Sequence, residues 1–409
     1  MLLVGIDWAE AEHAACLMDA GGVVCRRLRV PHTAAGLRRL HEAIARFEEE
    51  PRDVHVAIER PRGLLVRGLL DAGYTIYALN PKAVERYRVR TRTAGAKSDP
   101  ADAELLARIL LTDRERHEAL QASSPQAEEI RAIARDDERA SRDERRLLNR
   151  LRQDLLEVFP QALVAFPRLA NVSALAFLAC WPSADAARAV DPSALHTFLR
   201  EHQHGWPDRT AAHLHVAFAA DVLAEQPQVA RAKVGAIRLA AEQLLLLHRQ
   251  RADWRKQLEH LLAGDGAHPA GAVLLSLPGL DARLAARLLG EMGDARERFP
   301  RSASLQCYAG TAPITRASGK SRIVAARWSC NRFLRQAVLS WSLCSLRVSR
   351  WARVFYDTKR SAGKGHFKAL RALANRWLEI LHHLLATSQH YDEAIHERNR
   401  ANATHVSAA

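Results

Sequence analysis

The stretch LLVGIDWAEAEHAACLMDAGGVVCRRLRV, residues 2–30, decides how the first part of the chain folds. LLVGIDWA is a continuous apolar run ending at Asp7, which predicts a buried strand. HAACLMDA predicts a second strand, Gly21-Gly22 a hairpin turn, and VVCRRLRV a third. Beyond it the signals alternate. A helix is expected from about Thr33 to Glu50, a strand at VHVAIE (54–59), and a helix at GLLVRGLLDAG (63–73) stopped by Gly73. TIYALN (75–80) then predicts another strand, and KSDPADAELLAR (97–108) opens a helix. Three strands in a meander, then helix-strand-helix-strand-helix, is the order of a ribonuclease-H-like α/β domain.

Acidic residues punctuate this pattern. Asp7 ends the first strand and Glu59 the fourth; in a ribonuclease-H-like sheet those strands are neighbours, so both carboxylates sit near one edge. The helix at Asp99 follows the last strand and can bring Asp99 and Asp102 to the same place. Two readings compete there. Asp99 suits an N-cap, Pro100 the first helical position and Asp102 the first turn. Alternatively the pair does chemistry. Asp7 can also cap a turn, and Glu59 can pair with Arg60 or Arg62. Four converging acids repel unless a divalent cation neutralises them, and hard oxygen donors select Mg²⁺ or Mn²⁺.

The balance of 60 Lys+Arg against 46 Asp+Glu gives a net charge of +14, which favours a polyanionic partner, nucleic acid before an acidic membrane surface. The six cysteines lack metal-ligand spacing and read as buried, reduced thiols. The apolar start reaches Asp7 too soon for a signal peptide, and no run approaches membrane-spanning length. A cytoplasmic location is expected.

From Ser124 to about Pro160 the chain is charged and helical. Ile130, Ala134, Asp137, Ser141, Glu144, Leu148, Leu151, Leu155 and Val158 follow a/d spacing, apolar at both ends and broken in the middle. Either a coiled coil with another chain or an ordinary amphipathic helix fits. Short helices broken by Pro182, Pro192 and Pro207 follow, then a long helix from about Val229 to Leu262 and a linker, AGDGAHPAG. LLSLPGLDARLAARLLGEMGD then resembles a helix-hairpin-helix, whose turn amides can hold a phosphate. Between Lys320 and Trp377 stand 14 Lys+Arg and one acid, Asp357, interleaved with eight aromatic residues. Such concentration predicts a nucleic-acid surface, with Arg316, Lys320, Arg322, Arg327, Arg332 and Arg335 as candidates.

GIDWA (5–9), VAIERPRG (56–63), KSDPADAELLA (97–107) and YAGTAPITRASGKSR (308–322) together resemble the DEDD-motif transposases of bacterial insertion sequences, also called bridge-RNA-guided recombinases. The resemblance implies a RuvC-like DEDD catalytic domain at 1–115, a helical coiled-coil region with an inserted helical segment at 116–265, and a mostly α, basic C-terminal transposase domain at 266–409. It implies that Asp7, Glu59, Asp99 and Asp102 are ligands of Mg²⁺ (or Mn²⁺), and that Ser318 is the nucleophile. Arg316, Lys320 and Arg322 would hold a phosphate beside it. It further implies donor and target DNA, a structured guide RNA and a homo-oligomer, dimer or tetramer, in which the two domains meet across subunits. Ser321 and Ser302 are weaker nucleophile candidates. TAP replaces the family's usual LAP, and Cys330 stands where Gly often precedes Asn331. Two rivals make different expectations: a junction-resolving nuclease uses the same acids with water, and a non-catalytic scaffold uses none of them.

Overall fold

Burial of the first strand on both faces sets the architecture of residues 1–122. In β1 (Leu2–Asp7), Leu2, Val4 and Ile6 face one side of the sheet and Leu3 the other. The computed structural model describes residues 1–91, 98–202, 207–220, 222–223, 225–319 and 321–395. β1 pairs antiparallel with β2 (Glu12–Asp19), which pairs antiparallel with β3 (Val24–Pro31). Gly22, at φ +84°, supplies the left-handed backbone that the intervening turn needs. The chain then passes through α1 (Ala34–Ala45), capped by the Thr33 hydroxyl, which accepts from the Gly36 amide at 3.1 Å. It enters β4 (Val54–Ile58), parallel to β1 from Leu2↔Val54 to Ile6↔Ile58. After α2 (Leu64–Asp71) comes β5 (Thr75–Ala78), parallel to β4, and the strand order is β3-β2-β1-β4-β5. Next come α3 (Pro81–Thr91) and α4 (Asp99–Asp113). Leu40, Ile44, Leu65 and Leu69 cover the Val4/Ile6 face, while Leu105, Leu106, Ile109 and Leu110 of α4 cover the Leu3 face.

Residues 123–409 are built on two long helices, α5 (Pro125–Val158), with 34 residues, and, past five shorter helices, α11 (Pro227–Ala263), with 37. They run antiparallel: Asp137 meets Arg251, Glu144 meets His248, and Asp154 meets Lys233. The broken middle of the a/d pattern is thereby explained. Asp137, only 4% exposed, accepts from Arg251 at 2.9 Å, and Arg251 also binds Glu144. The seam expected to meet another chain or solvent is filled here by a helix of the same chain.

The five short helices are α6 (Gln161–Ala165), α7 (Val172–Cys180), α8 (Ala184–Arg188), α9 (Pro192–Glu201) and α10 (Pro207–Ala219). Pro192 and Pro207 start helices rather than break them, as a residue without an amide proton can in the first turn. These helices enclose Phe159, Phe177, Phe198 and Phe218 in one core with the far halves of α5 and α11. A second core gathers α12 (Gly271–Ser276), α13 (Ala282–Met292), α14 (Ser302–Ala309), α15 (Arg332–Ser345), α16 (Arg350–Ser361) and α17 (His366–Thr387). Between α14 and α15 lies a hairpin, β6 (Ile314–Ser318) and β7 (Ser321–Ala325).

Three expectations change. The Pro278-Gly279 turn is packed on α15: a Cβ at Gly279 would meet the Ser345 amide nitrogen at 2.7 Å, and Trp341 Nε1 donates to the Pro278 carbonyl at 3.0 Å. It is a packing joint, since a backbone approaching this closely leaves no room for a phosphate. Trp341 and Trp377 are fully buried and Trp351 nearly so, so most indoles of the basic segment build the core. The cysteines are free, yet only Cys16 is buried, and Cys180 and Cys344 are exposed. Among the described residues no helix is long and apolar enough to cross a membrane.

Candidate functional site

β1 and β4 run parallel as neighbours, so Asp7, the last residue of β1, and Glu59, the residue after β4, emerge side by side at the carboxyl end of the sheet. The next residue of each segment ties them together: the Arg60 guanidinium lies 3.8 Å from the centroid of the Trp8 ring. Trp8 in turn stacks on His13, with centroids 6.1 Å apart. His13 accepts from the Ala9 amide through Nδ1, which leaves its Nε2 to donate to His32 Nδ1 at 2.9 Å. Burial, and then the neighbouring His32, hold the His13 pKa below its ordinary value. Neither the Trp8–Arg60 clamp nor the histidine pair was anticipated from sequence, although Trp8 and Arg60 each directly follow an acid.

α4 crosses this layer antiparallel to β1. Gly5 makes that approach possible, because a Cβ there would lie 1.9 Å from the Ala103 carbonyl oxygen and 2.6 Å from the Ala107 nitrogen. Leu106 and Leu110 continue along Leu3, so the amino end of α4 is directed toward the Asp7 end of the strand. The N-cap reading of Asp99 is corrected. Ser98, in extended conformation, is the cap residue, and its carbonyl accepts from the Asp102 amide at 2.9 Å, so Asp99 is already helical. Asp99 is exposed and Asp102 buried. Arg88 of α3 supplies the Asp102 partner, donating through Nε at 3.2 Å, and also pairs with Glu85. Glu104, one turn from Asp99 and Pro100, joins α4 to Arg27 of β3 at 2.7 Å.

Asp7 and Glu59 thus stand at neighbouring strand ends, and Asp99 and Asp102 in the first turn of α4. Their oxygens are hard donors of the kind Mg²⁺ and Mn²⁺ prefer. Among the described residues, however, no three His, Cys, Asp or Glu side chains form a ready-made metal cluster. The donor chemistry fits a divalent cation, with Asp102 engaged by a guanidinium that would have to yield.

Ser318 ends β6, and its cross-strand partner is Ser321. Gly319 follows at φ +55°, while Lys320 lies outside the described residues. The ribbon is almost wholly exposed. The strand period of two places Arg316 on the Ser318 face, together with Ser321 and Ile323, whereas Ala317 and Arg322 occupy the opposite face. Arg316 therefore stands beside the serine and Arg322 does not. Arg327 is half-buried, with an Nε atom that finds no hydrogen-bond partner. Arg332 is exposed at the start of α15, and Arg335 follows one turn later. Ser302 begins α14 and is separate from the ribbon. Asn331 caps α15 by accepting from the Phe333 and Leu334 amides, and donates to buried Glu291 at 2.8 Å.

Comparison with known proteins gives this arrangement its context. A family model described as transposase, the DEDD group of IS110, matches residues 4–160, and one described as the transposase IS116/IS110/IS902 family matches residues 271–357. The chain is 35% identical over 402 residues, 95% of each protein, to the mini-circle transposase candidate for IS117 of Streptomyces coelicolor. It is 28% identical over 402 residues to the uncharacterized 43.6 kDa protein of insertion element IS110 from the same organism, covering 96% of this chain and 95% of that one. It is 27% identical over 398 residues to the uncharacterized 42 kDa protein of insertion element IS900 from Mycobacterium paratuberculosis, covering 95% and 97%. The two-part match, spanning the carboxylate-bearing sheet and the serine-bearing ribbon, establishes that this chain belongs to the IS110 family of DEDD transposases.

Proposed function

We propose that the protein excises and inserts its own insertion sequence by serine recombination at a RuvC-like carboxylate centre. The observation that carries the reading is the pairing of β1 with β4, which sends Asp7 and Glu59 out together where the amino end of α4 is directed. The β3-β2-β1-β4-β5 order supports the ribonuclease-H-like assignment. Asp7, Glu59, Asp99 and Asp102 would hold Mg²⁺ (or Mn²⁺). When bound, such an ion lowers the cost of charge building on a phosphoryl group.

Ser318 Oγ attacks the phosphorus of a DNA phosphodiester and loses its proton. The DNA oxygen opposite leaves as a hydroxyl, taking up a proton from solvent in exchange for the one the serine gave up to it, and the strand end remains on the protein as a phosphoserine ester. A free DNA hydroxyl then attacks that ester and releases the serine, so the number of phosphoester bonds is conserved and no external energy source is needed. Exposure of the ribbon suits a nucleophile that must reach DNA, and Arg316 on the same face suits the phosphate it attacks. The described ribbon residues include no acid or histidine to act as base. A structured RNA would pair with donor and target DNA, leaving the protein to read backbone shape. Synapsis of two sites would use a homo-oligomer. The three-domain division at about 115 and 265 belongs to the same proposal.

The test mixes the full-length protein with element-end DNA, the RNA transcribed beside the element, and Mg²⁺. A denaturation-resistant protein–DNA adduct is expected with wild type and not with Ser318→Ala or Asp7→Ala. Cleavage that persists in Ser318→Ala, with no adduct from any variant, would replace this mechanism by a water-using nuclease.

A further inference from the structure

The serine ribbon and the carboxylates leave unused a concave pocket of about 730 Å³ between one side of α15, the start of α17 and Arg142 of α5. Its volume falls in the range of about 300–1,000 Å³ typical of small-molecule sites. Three guanidiniums line it, from Arg142, Arg332 and Arg335, and no acid does. Arg142 is engaged by Glu138 and Gln336, while Arg332 and Arg335 make no ion pair with any described residue.

The wall is aromatic as well as basic. Phe333 is flanked by guanidiniums, with Arg135 and Arg142 at 4.8 and 5.3 Å from its ring centroid. Phe367, at the opening of α17, is 70% exposed, an unusual state for a phenyl ring beside a formed cavity. His366 lies edge-on to Phe367 at 5.2 Å, and its Nδ1 is fixed by the Tyr356 hydroxyl at 2.6 Å. Whichever way the proton of that bond lies, Nε2 keeps a hydrogen-bonding capacity of its own.

An exposed ring for stacking, two unpaired guanidiniums for a phosphate and an imidazole for a hydrogen bond are the elements of nucleotide recognition. Bases within a duplex are already stacked and cannot reach such a ring. We infer that this pocket captures one unpaired nucleotide of a single-stranded or extruded segment, its base on Phe367 and its phosphate on Arg332 and Arg335. The inference rests on the proposal that the protein acts on nucleic acid, but not on the serine chemistry.

Binding of the full-length protein would be measured with three labelled oligonucleotides of equal length: single-stranded DNA, single-stranded RNA and blunt duplex DNA. Phe367→Ala is expected to weaken single-strand binding about 5- to 150-fold, the loss associated with one stacked base, and to leave duplex binding within about twofold. Phe367→Trp should restore it, which a mere loss of folding would not permit, and melting temperatures should match. A larger loss on RNA identifies the guide as the source of the nucleotide, and a larger loss on DNA identifies the element or target. Equal losses on single strands and duplex, or none on either, would overturn the inference. Failure of adduct formation by the wild type, with the Phe367 effect intact, would count against the serine mechanism alone.

Discussion

Replacing Gly5 by alanine tests whether α4 positions the carboxylates. The added Cβ would stand 1.9 Å from the Ala103 carbonyl oxygen, where ordinary contact begins at 3.4 Å, so the helix must retreat by about 1.5 Å, the difference of the two. No rotamer can relieve the clash, because both nearest atoms are backbone. Overpacking of this kind costs about 1–3 kcal/mol. The same retreat moves Asp99 and Asp102 relative to Asp7 and Glu59, and a misplacement of about 1 Å is enough to slow a reaction about a hundredfold. Native-state hydrogen exchange on the β1 and α4 amides of the full chain reads the first effect, and adduct yield with element-end DNA reads the second. Ala103→Gly should not rescue Gly5→Ala, since it removes a side chain that takes no part in the clash. Exchange protection and adduct yield both equal to wild type would refute the close crossing and its role.

Arg88→Ala removes the guanidinium from Asp102, a carboxylate only 7% exposed. Protection of α4 should fall by about 1–3 kcal/mol, while Mn²⁺ affinity measured by calorimetry should rise as the competitor disappears. Unchanged Mn²⁺ affinity would remove Asp102 from the ligand set. The sheet unit should also lose stability in mild acid. Burial lowers the pKa of His13, His41 and His55 from the ordinary 6.5, so the unfolded chain takes up protons first as pH falls below that value. Their contribution is complete above about pH 6.5 and is lost as pH descends through the depressed folded values. Exchange protection at pH 7 and pH 5.5 should differ in that sense, and a His13→Gln variant should show a smaller difference.

The order and pairing of the sheet were legible because four of the five strands are short apolar runs that end in a turn residue or an acid, and the fifth, the arginine-bearing β3, is announced by the Gly21-Gly22 turn before it. The positions of Asp7 and Glu59 followed directly, since an acid closing a buried strand stands at its rim. The start of α4 was misjudged by one residue, because Ser98 and Asp99 are both good caps and only backbone conformation separates them. Arg88 was invisible for another reason. It sits among several arginines of α3, and nothing local says which of them turns toward Asp102. The aromatic content of the basic segment misled in part, because composition cannot tell the buried face of a helix from its exposed one. Trp341 and Trp377 lie inside and Phe367 outside. The polar middle of α5 was unreadable without Arg251, whose place opposite it is more than a hundred residues further along the chain.

That separation has a consequence for how the protein is made. The helix ending at Val158 leaves the ribosome well before the one ending at Ala263. At about 5–20 residues per second the interval is roughly 5–20 s. During it, the longest helix yet synthesised waits with one side uncovered. Because Asp137, Ser141 and Glu144 separate Ile130 and Ala134 from the leucines that begin at Leu147, that waiting side is hydrated in the middle rather than greasy from end to end, which limits its adhesion to neighbouring nascent chains. The carboxylates that join the finished helices also shield the unfinished one.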